Sequence, residues 1–223
     1  MFKPEDVEFA KRIVNSIQFP DEFGGYEDCE YEYEQQLMGV ICEDFYVTSG
    51  ATKLVIVVDS LPFVIKIPFD GYTFWDEYSE EYIFSEFTEA NENFYNDYCY
   101  DELEKIEHII AYGYGCLVPQ TECIGIFNGH YIYLQEKVQP MCECRKVNAS
   151  EESLKKAEKD TTAFCSNWIA KVFDFYGEEF WNQFITWVEE TDLDIFSDCH
   201  TGNYGISMDG RPMMFDISGF RDR

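Results

Sequence analysis

Between Phe45 and Ile67 three short apolar runs are separated by two turn clusters, and this spacing constrains the fold more than any other feature of the sequence. Phe45-Tyr46-Val47 leads into Thr48-Ser49-Gly50-Ala51-Thr52. The β-branched run Lys53–Val58 follows, then Asp59-Ser60, then Leu61–Ile67. Runs this short and this rich in β-branched residues, joined by tight turns, fold back as antiparallel strands. Two further strands are expected near Cys116–Ile124 and His130–Glu136. The Asn128-Gly129 pair between them is a strong hairpin signal, because both turn residues must accept positive φ. Gln139-Pro140 ends the fifth run.

Helical spacing appears on either side of these strands. Val7, Ala10, Ile13, Val14 and Ile17 share one face of a helix starting near Pro4, and the acidic, Gly-bearing stretch 23–34 reads as a loop. Ile83, Phe84, Phe87 and Ala90 place a helix over Glu80–Asn93. Asn148-Ala149-Ser150-Glu151-Glu152-Ser153 reads as a capped start, with helical periodicity running to about Tyr176. Phe180, Trp181, Phe184, Trp187 and Val188 share a face of Glu178–Glu190. The tail from Leu193 to Phe220 reads as strand and loop. The order predicts an α+β chain of two lobes. Residues 1–36 form an N-terminal helix and acidic loop, 37–139 a five-stranded antiparallel lobe, and 140–223 a reduced, mostly helical lobe. A cleft between such lobes is a natural ligand site.

Composition narrows the function. At 46% hydrophobic residues the chain has enough apolar surface for a core, which argues against global disorder. The formal net charge of -28 opposes binding to nucleic acid or anionic membrane, since both require Lys and Arg to displace counterions. It favours a basic protein partner instead. The stretch 76–107 carries twelve acidic residues and one base, Lys105. The cysteines are scattered, with no Cys-x-x-Cys pair, and read as reduced thiols in a cytoplasmic protein. The N-terminal stretch is amphipathic and unlike a signal peptide, and the longest apolar run is far too short to span a bilayer.

The residues that carry chemistry cluster late in the chain. Asp198-Cys199-His200-Thr201-Gly202-Asn203 is followed by Ser207-Met208-Asp209-Gly210, a hairpin turn, and then by Met213-Met214-Phe215-Asp216. One carboxylate, an amide oxygen five residues on, and a second carboxylate beyond a hairpin are the groups phosphoryl transfer needs. The first accepts the proton of an attacking hydroxyl, and the others hold Mg2+ against phosphates. This segment resembles the aminoglycoside phosphotransferase and choline kinase branch of the protein-kinase-like superfamily, whose loop has the form Gly-Asp-x-His-x-x-Asn. Ser197 stands where that family has Gly, and Phe196 where it often has His. The resemblance implies Asp198 as catalytic base, Asn203 and Asp216 as metal ligands, and His200 as a brace for the loop.

The same resemblance gives roles to residues of the first lobe. Val64-Ile65-Lys66-Ile67 looks like the lysine strand of kinases, so Lys66 would contact the ATP phosphates and pair with a helix glutamate. Glu81 and Glu86 are the candidates, with Glu81 preferred because Phe84 and Phe87 then face the core. Gly50, in a turn with a single glycine, would let backbone N–H groups approach phosphate. Backbone groups near Glu136 and Val138 would meet the adenine. The expected activity is ATP-dependent phosphotransfer to a hydroxyl acceptor, with ATP and Mg2+ as cofactors. The alternative is a kinase-like acidic binding protein that engages or inhibits a basic or nucleic-acid-binding partner. Only seven residues follow Asp216, so the acceptor is expected to bind helices before the catalytic loop, or a partner to complete the site.

Overall fold

Turn chemistry and β-branched runs generate the main sheet where the sequence places it. In the computed structural model, residues 2–25, 29–87, 98–141, 148–159, 165–191, 193, 200 and 202–217 are described. In chain order the elements begin with helix α1 (Pro4–Val14), the short strand β1 (Gly24–Gly25) and helix α2 (Cys29–Leu37). Strands β2 (Phe45–Ser49), β3 (Lys53–Val58), β4 (Phe63–Pro68), β5 (Gly71–Asp76) and β6 (Glu81–Glu86) come next. Helix α3 (Tyr98–Ala111), a 3-10 turn over Gly115–Leu117, and strands β7 (Thr121–Phe127), β8 (His130–Glu136) and β9 (Val138–Pro140) follow. Helices α4 (Glu151–Ala157), α5 (Ser166–Tyr176) and α6 (Glu178–Thr191) lead to the closing strands β10 (Tyr204–Ser207) and β11 (Pro212–Met214). The chain is α+β.

The chain divides into two compact units, one of Met1–Leu103 and Gln120–Glu136, the other of Glu104–Pro119 and Lys137–Arg223. The second break falls between Glu136 and Lys137, close to the expected connector. Residues 1–36 belong with the first unit, and α3 is shared between the two.

The first unit is built on a five-stranded sheet in the order β2-β3-β4-β8-β7, antiparallel throughout. The β7–β8 turn carries the expected Asn-Gly pair, with φ of 53° at Asn128 and 88° at Gly129. The Asn128 side-chain amide also donates to the carbonyl of Ile17 at 2.7 Å, tying the segment after α1 to the turn. Ala10, Ile13 and Val14 of α1 are fully buried, as its periodicity requires.

Three expectations are corrected in this unit. The stretch expected as a loop over 23–34 contains β1 and the start of α2, whose Cys29, Tyr33 and Leu37 are buried at helical spacing. The helix expected over Glu80–Asn93 is absent in its described part. Residues Glu81–Glu86 form a strand paired antiparallel with Gly71–Asp76. A short apolar run carries helical and strand periodicity equally well, and the run Tyr72–Trp75 supplies the pairing partner that decides it. The strand expected at Cys116–Ile124 begins later, at Thr121, because a 3-10 turn takes Gly115–Leu117.

The second unit packs α5 and α6 around Trp168, Trp181 and Phe184, all fully buried. The Trp168 and Trp181 rings meet edge-to-face at 5.6 Å. Ser150 caps α4 as expected, accepting from the Ser153 N–H at 3.2 Å. Strands β9, β10 and β11 form a small antiparallel sheet with β10 in the middle. Gly205 is required there, since a Cβ on it would sit 2.0 Å from the carbonyl oxygen of Gln139 on β9. The indole N–H of Trp168 donates to the Gly205 carbonyl at 3.1 Å and ties this sheet to α5.

Candidate functional site

Lys66 lies on β4, the third strand of the meander, opposite Val55 of β3 and Tyr133 of β8. It is 4% exposed, and its Nζ donates to Oε2 of Glu102 at 2.7 Å. Glu102 is fully buried on α3. Its other oxygen, Oε1, accepts from the Gln135 side-chain amide at 3.0 Å. That amide also donates to Thr121 Oγ1 at 2.9 Å, across the β7–β8 pair. Both carboxylate oxygens are therefore held by donors, one charged and one neutral. A buried ion pair needs this second set of hydrogen bonds to offset its desolvation.

The expected partner of Lys66 is thereby corrected. Glu81 is on β6, exposed, and faces Asp76 across the hairpin. Glu86, the other candidate, is exposed at the end of the same strand. Glu102 escaped notice because it occupies an apolar slot in its helix. Cys99, Ile106 and Ile109 are buried at the spacing of one face, and Glu102 fills the step between Cys99 and Ile106. Replacing the apolar residue by a carboxylate weakens the periodicity that would have announced α3. The signal was still present as a lone acid in an otherwise apolar stripe, in a chain whose strands β3 and β4 each bury a lysine, Lys53 and Lys66. Gln135 was not singled out either, because a glutamine within a strand carries no spacing signature.

In the second unit the β10–β11 hairpin brings Asn203 and Asp216 together. Its turn is the expected one, with Gly210 at φ 87° and its N–H donating to the Ser207 carbonyl at 2.9 Å. The Arg211 guanidinium donates to the Asp209 carboxylate at 2.8 Å beside the turn. Asn203 immediately precedes β10 and is 8% exposed. Its carbonyl accepts from the Phe215 N–H at 2.8 Å, and its side-chain amide donates to the Asp216 carbonyl at 3.4 Å. Asp216 has φ 55°, in the left-handed region. Glu80 and Asn128 share that conformation but sit in hairpin turns. Asp216 follows a strand instead, where a positive φ in a non-glycine residue is uncommon and needs support from its surroundings. Next to it, the Ile217 carbonyl accepts from Lys105 Nζ of α3 at 3.1 Å.

His200 braces the same loop. Its Nδ1 accepts from the Gly202 N–H at 2.9 Å, and its carbonyl accepts from the Asn203 N–H at 2.9 Å. A Cβ on Gly202 would lie 2.6 Å from His200 Cε1, so the ring lies directly over that glycine. Asp198 lies outside the described residues.

The remaining sequence-expected residues sit as follows. Gly50 is exposed in the β2–β3 turn, its N–H donating to the Lys53 carbonyl at 3.1 Å, with open space where a side chain would be. Glu136 ends β8, and its N–H donates to the Gln120 carbonyl at 2.8 Å. Val138 begins β9 and pairs with Ser207. The structure thus joins Lys66 to a helix glutamate in one unit and Asn203 to Asp216 in the other. Among the described residues no group of three or more His, Cys, Asp or Glu is placed to hold a metal. No helix among them is long and apolar enough to cross a membrane.

No family model matches this sequence, and no curated protein matches it either.

Proposed function

We propose that this chain is a kinase-like, ATP-dependent phosphotransferase that moves the γ-phosphoryl group to a hydroxyl acceptor. The observation that supports it is the Lys66–Glu102 pair, held at 2.7 Å with Gln135 on the second carboxylate oxygen. Apolar residues in these places would serve stability as well or better, so a buried ion pair here is better accounted for by a ligand that needs an oriented lysine. A strand lysine fixed by a helix glutamate is the arrangement that presents an ammonium to ATP phosphates. Asn203 and Asp216, adjacent through the β10–β11 hairpin, offer an amide and a carboxylate. Mg2+ typically takes one or two protein oxygens and completes its shell with phosphate and water, so this donor set fits it and a three-acid cage is not required. Bound there, the ion would neutralise charge on the phosphates.

The chemistry assigned to the chain's own residues is brief. Lys66 orients the α- and β-phosphates. Asp198, by its place in the sequence motif, takes the proton of the acceptor hydroxyl as that oxygen bonds to the γ-phosphorus. The bond from that phosphorus to the β-bridging oxygen breaks, and ADP leaves with the electron pair. His200 holds the backbone N–H groups of Gly202 and Asn203. ADP release is the direct test, measured with Mg2+–ATP over a panel of amino sugars, amino alcohols and hydroxyl-bearing peptides. The expected result is turnover with one class, lowered about a thousandfold or more in Asp198→Asn while ATP still binds. Turnover in Asp198→Asn equal to wild type would overturn the assignment.

The net charge of -28 favours a second reading, a kinase-like acidic protein that engages a basic partner without phosphotransfer. That reading expects ATP to leave the melting temperature unchanged.

A further inference from the structure

Strands β5 and β6 form a hairpin whose side chains are unusually apolar for their exposure. Trp75 is 51% exposed, Tyr82 63% and Tyr78 99%. Trp75 and Tyr82 are cross-strand partners whose rings meet edge-to-face at 5.1 Å. Because side chains alternate along a strand, Trp75 and Tyr82 share their face of the hairpin with Phe84 and Glu86 nearer its root. Phe84 lies flat on the backbone there, and a Cβ on Gly24 or Gly71 would come within 2.7 Å or 2.6 Å of its ring.

At the root a cavity of about 490 Å³ opens, lined by Asp21, Glu22, Asp70, Phe84, Glu86 and Phe87. Four of the six are carboxylates and the other two are phenyl rings. Burial pushes the Asp70 carboxyl above its ordinary value, the neighbouring His130 works against that shift, and Glu86 adds to it. His130 Nδ1 stands 3.9 Å from Asp70, and burial holds this imidazole below its usual range, so it stays neutral near pH 7 and offers no fixed charge. The hairpin itself carries Asp76, Glu77, Glu80, Glu81 and Glu86 and no Lys or Arg.

We infer that this face of the hairpin, from the acidic cavity to the Trp75–Tyr82 pair, is a docking surface for an arginine-rich extended segment of another protein. Charge decides among occupants. A second copy of a chain at -28, a nucleic acid and an anionic membrane would all be repelled, whereas a guanidinium is attracted by carboxylates and by aromatic faces alike. A planar guanidinium matches a cavity of carboxylates and phenyl rings better than a strongly hydrated ammonium does. Tyr82 and Glu86 are four strand residues apart, about 14 Å at the usual rise, so two arginines about four residues apart on an extended partner would reach the aromatic pair and the cavity together. This inference does not depend on phosphotransfer.

The test uses the whole chain at about 0.15 M salt, where long-range attraction is screened within about 8 Å. The probe is a fluorescent peptide with arginines four residues apart, and its control has both arginines replaced by neutral citrulline. Titration should show binding of the arginine peptide, with the citrulline peptide at least tenfold weaker. Trp75→Ser with Tyr82→Ser keeps the charge and should weaken binding about tenfold or more, about 1.4 kcal/mol. Asp70→Asn with Glu86→Gln should do the same. Glu189→Gln with Glu190→Gln, an equal change of charge on the exposed end of α6, should leave affinity within twofold. Wild-type affinity in the aromatic variant, or an equal loss in the α6 control, would overturn the inference. So would dimerisation of the free chain through the hairpin, or binding to neutral phosphatidylcholine vesicles that the aromatic variant loses.

Discussion

Single side chains carry most of the argument. Lys66 and Glu102 are each buried and paired at 2.7 Å, so removing one takes a close opposite charge away from the other in a low-dielectric site. Lys66→Met is expected to lower unfolding free energy by about 3–5 kcal/mol. Adding Glu102→Gln should restore most of it, because a neutral amide still accepts from Gln135. Urea denaturation of the two single variants and the double variant reads this as a coupling energy. Additive losses would mean the pair is not the interaction described. The lysine was legible in the sequence from its strand, Asn203 and Asp216 from their spacing. Glu102 was not, because in a chain this acidic proximity along the sequence favours many glutamates equally, and only three-dimensional packing selects one. The left-handed backbone of Asp216 has no sequence signature either, since Asp tolerates that conformation without demanding it.

Elements divide by how local their causes are. The meander β2-β3-β4, the Asn-Gly hairpin β7–β8 and the Asp-Gly hairpin β10–β11 were legible, because turn chemistry acts within four residues. The start of α4 was legible for the same reason. There Ser150 caps the helix and donates to Asp174 of α5 at 2.8 Å, while Ser153 donates to the same carboxylate at 2.7 Å. Burial pushes the Asp174 carboxyl up, but these hydrogen bonds and the Lys171 charge outweigh it and hold it below its ordinary value. A carboxyl lowered in the fold adds stability above its unfolded pKa, and that stability is lost as pH falls through the folded value. Asp174→Asn should therefore destabilise at pH 7 and flatten the fall in stability below about pH 4, measured by thermal melts across that range. Ser150→Ala should cost about 1 kcal/mol and soften that slope in part, since it removes one of the hydrogen bonds that hold Asp174 down while leaving that from Ser153. A slope in Asp174→Asn equal to wild type would contradict the assignment. β5–β6 and α3 were misread or missed for a different reason. The run in β6 fits either period and only its pairing with the neighbouring run Tyr72–Trp75 decides it, while the apolar face of α3 is interrupted by Glu102, whose partner Lys66 lies 36 residues away.

For the molecule as a whole, the first unit holds an oriented lysine and the second an Asn–Asp pair, each built by its own sheet. Under the proposed function a nucleotide binds the folded chain and raises its melting temperature by mass action. The net charge of -28 works against an anionic ligand, so stabilisation by ATP should require the metal. The deciding experiment is a thermal-shift titration with ATP, with and without Mg2+, on wild type and on Asp216→Asn. At ATP a hundredfold above its dissociation constant the expected stabilisation is about 2.7 kcal/mol, a rise of several degrees for a chain of this size, present only with Mg2+ and lost in Asp216→Asn. No shift in the wild type at millimolar Mg2+–ATP, or an equal shift in the variant, would contradict the proposed metal-dependent nucleotide binding and the part given to Asp216.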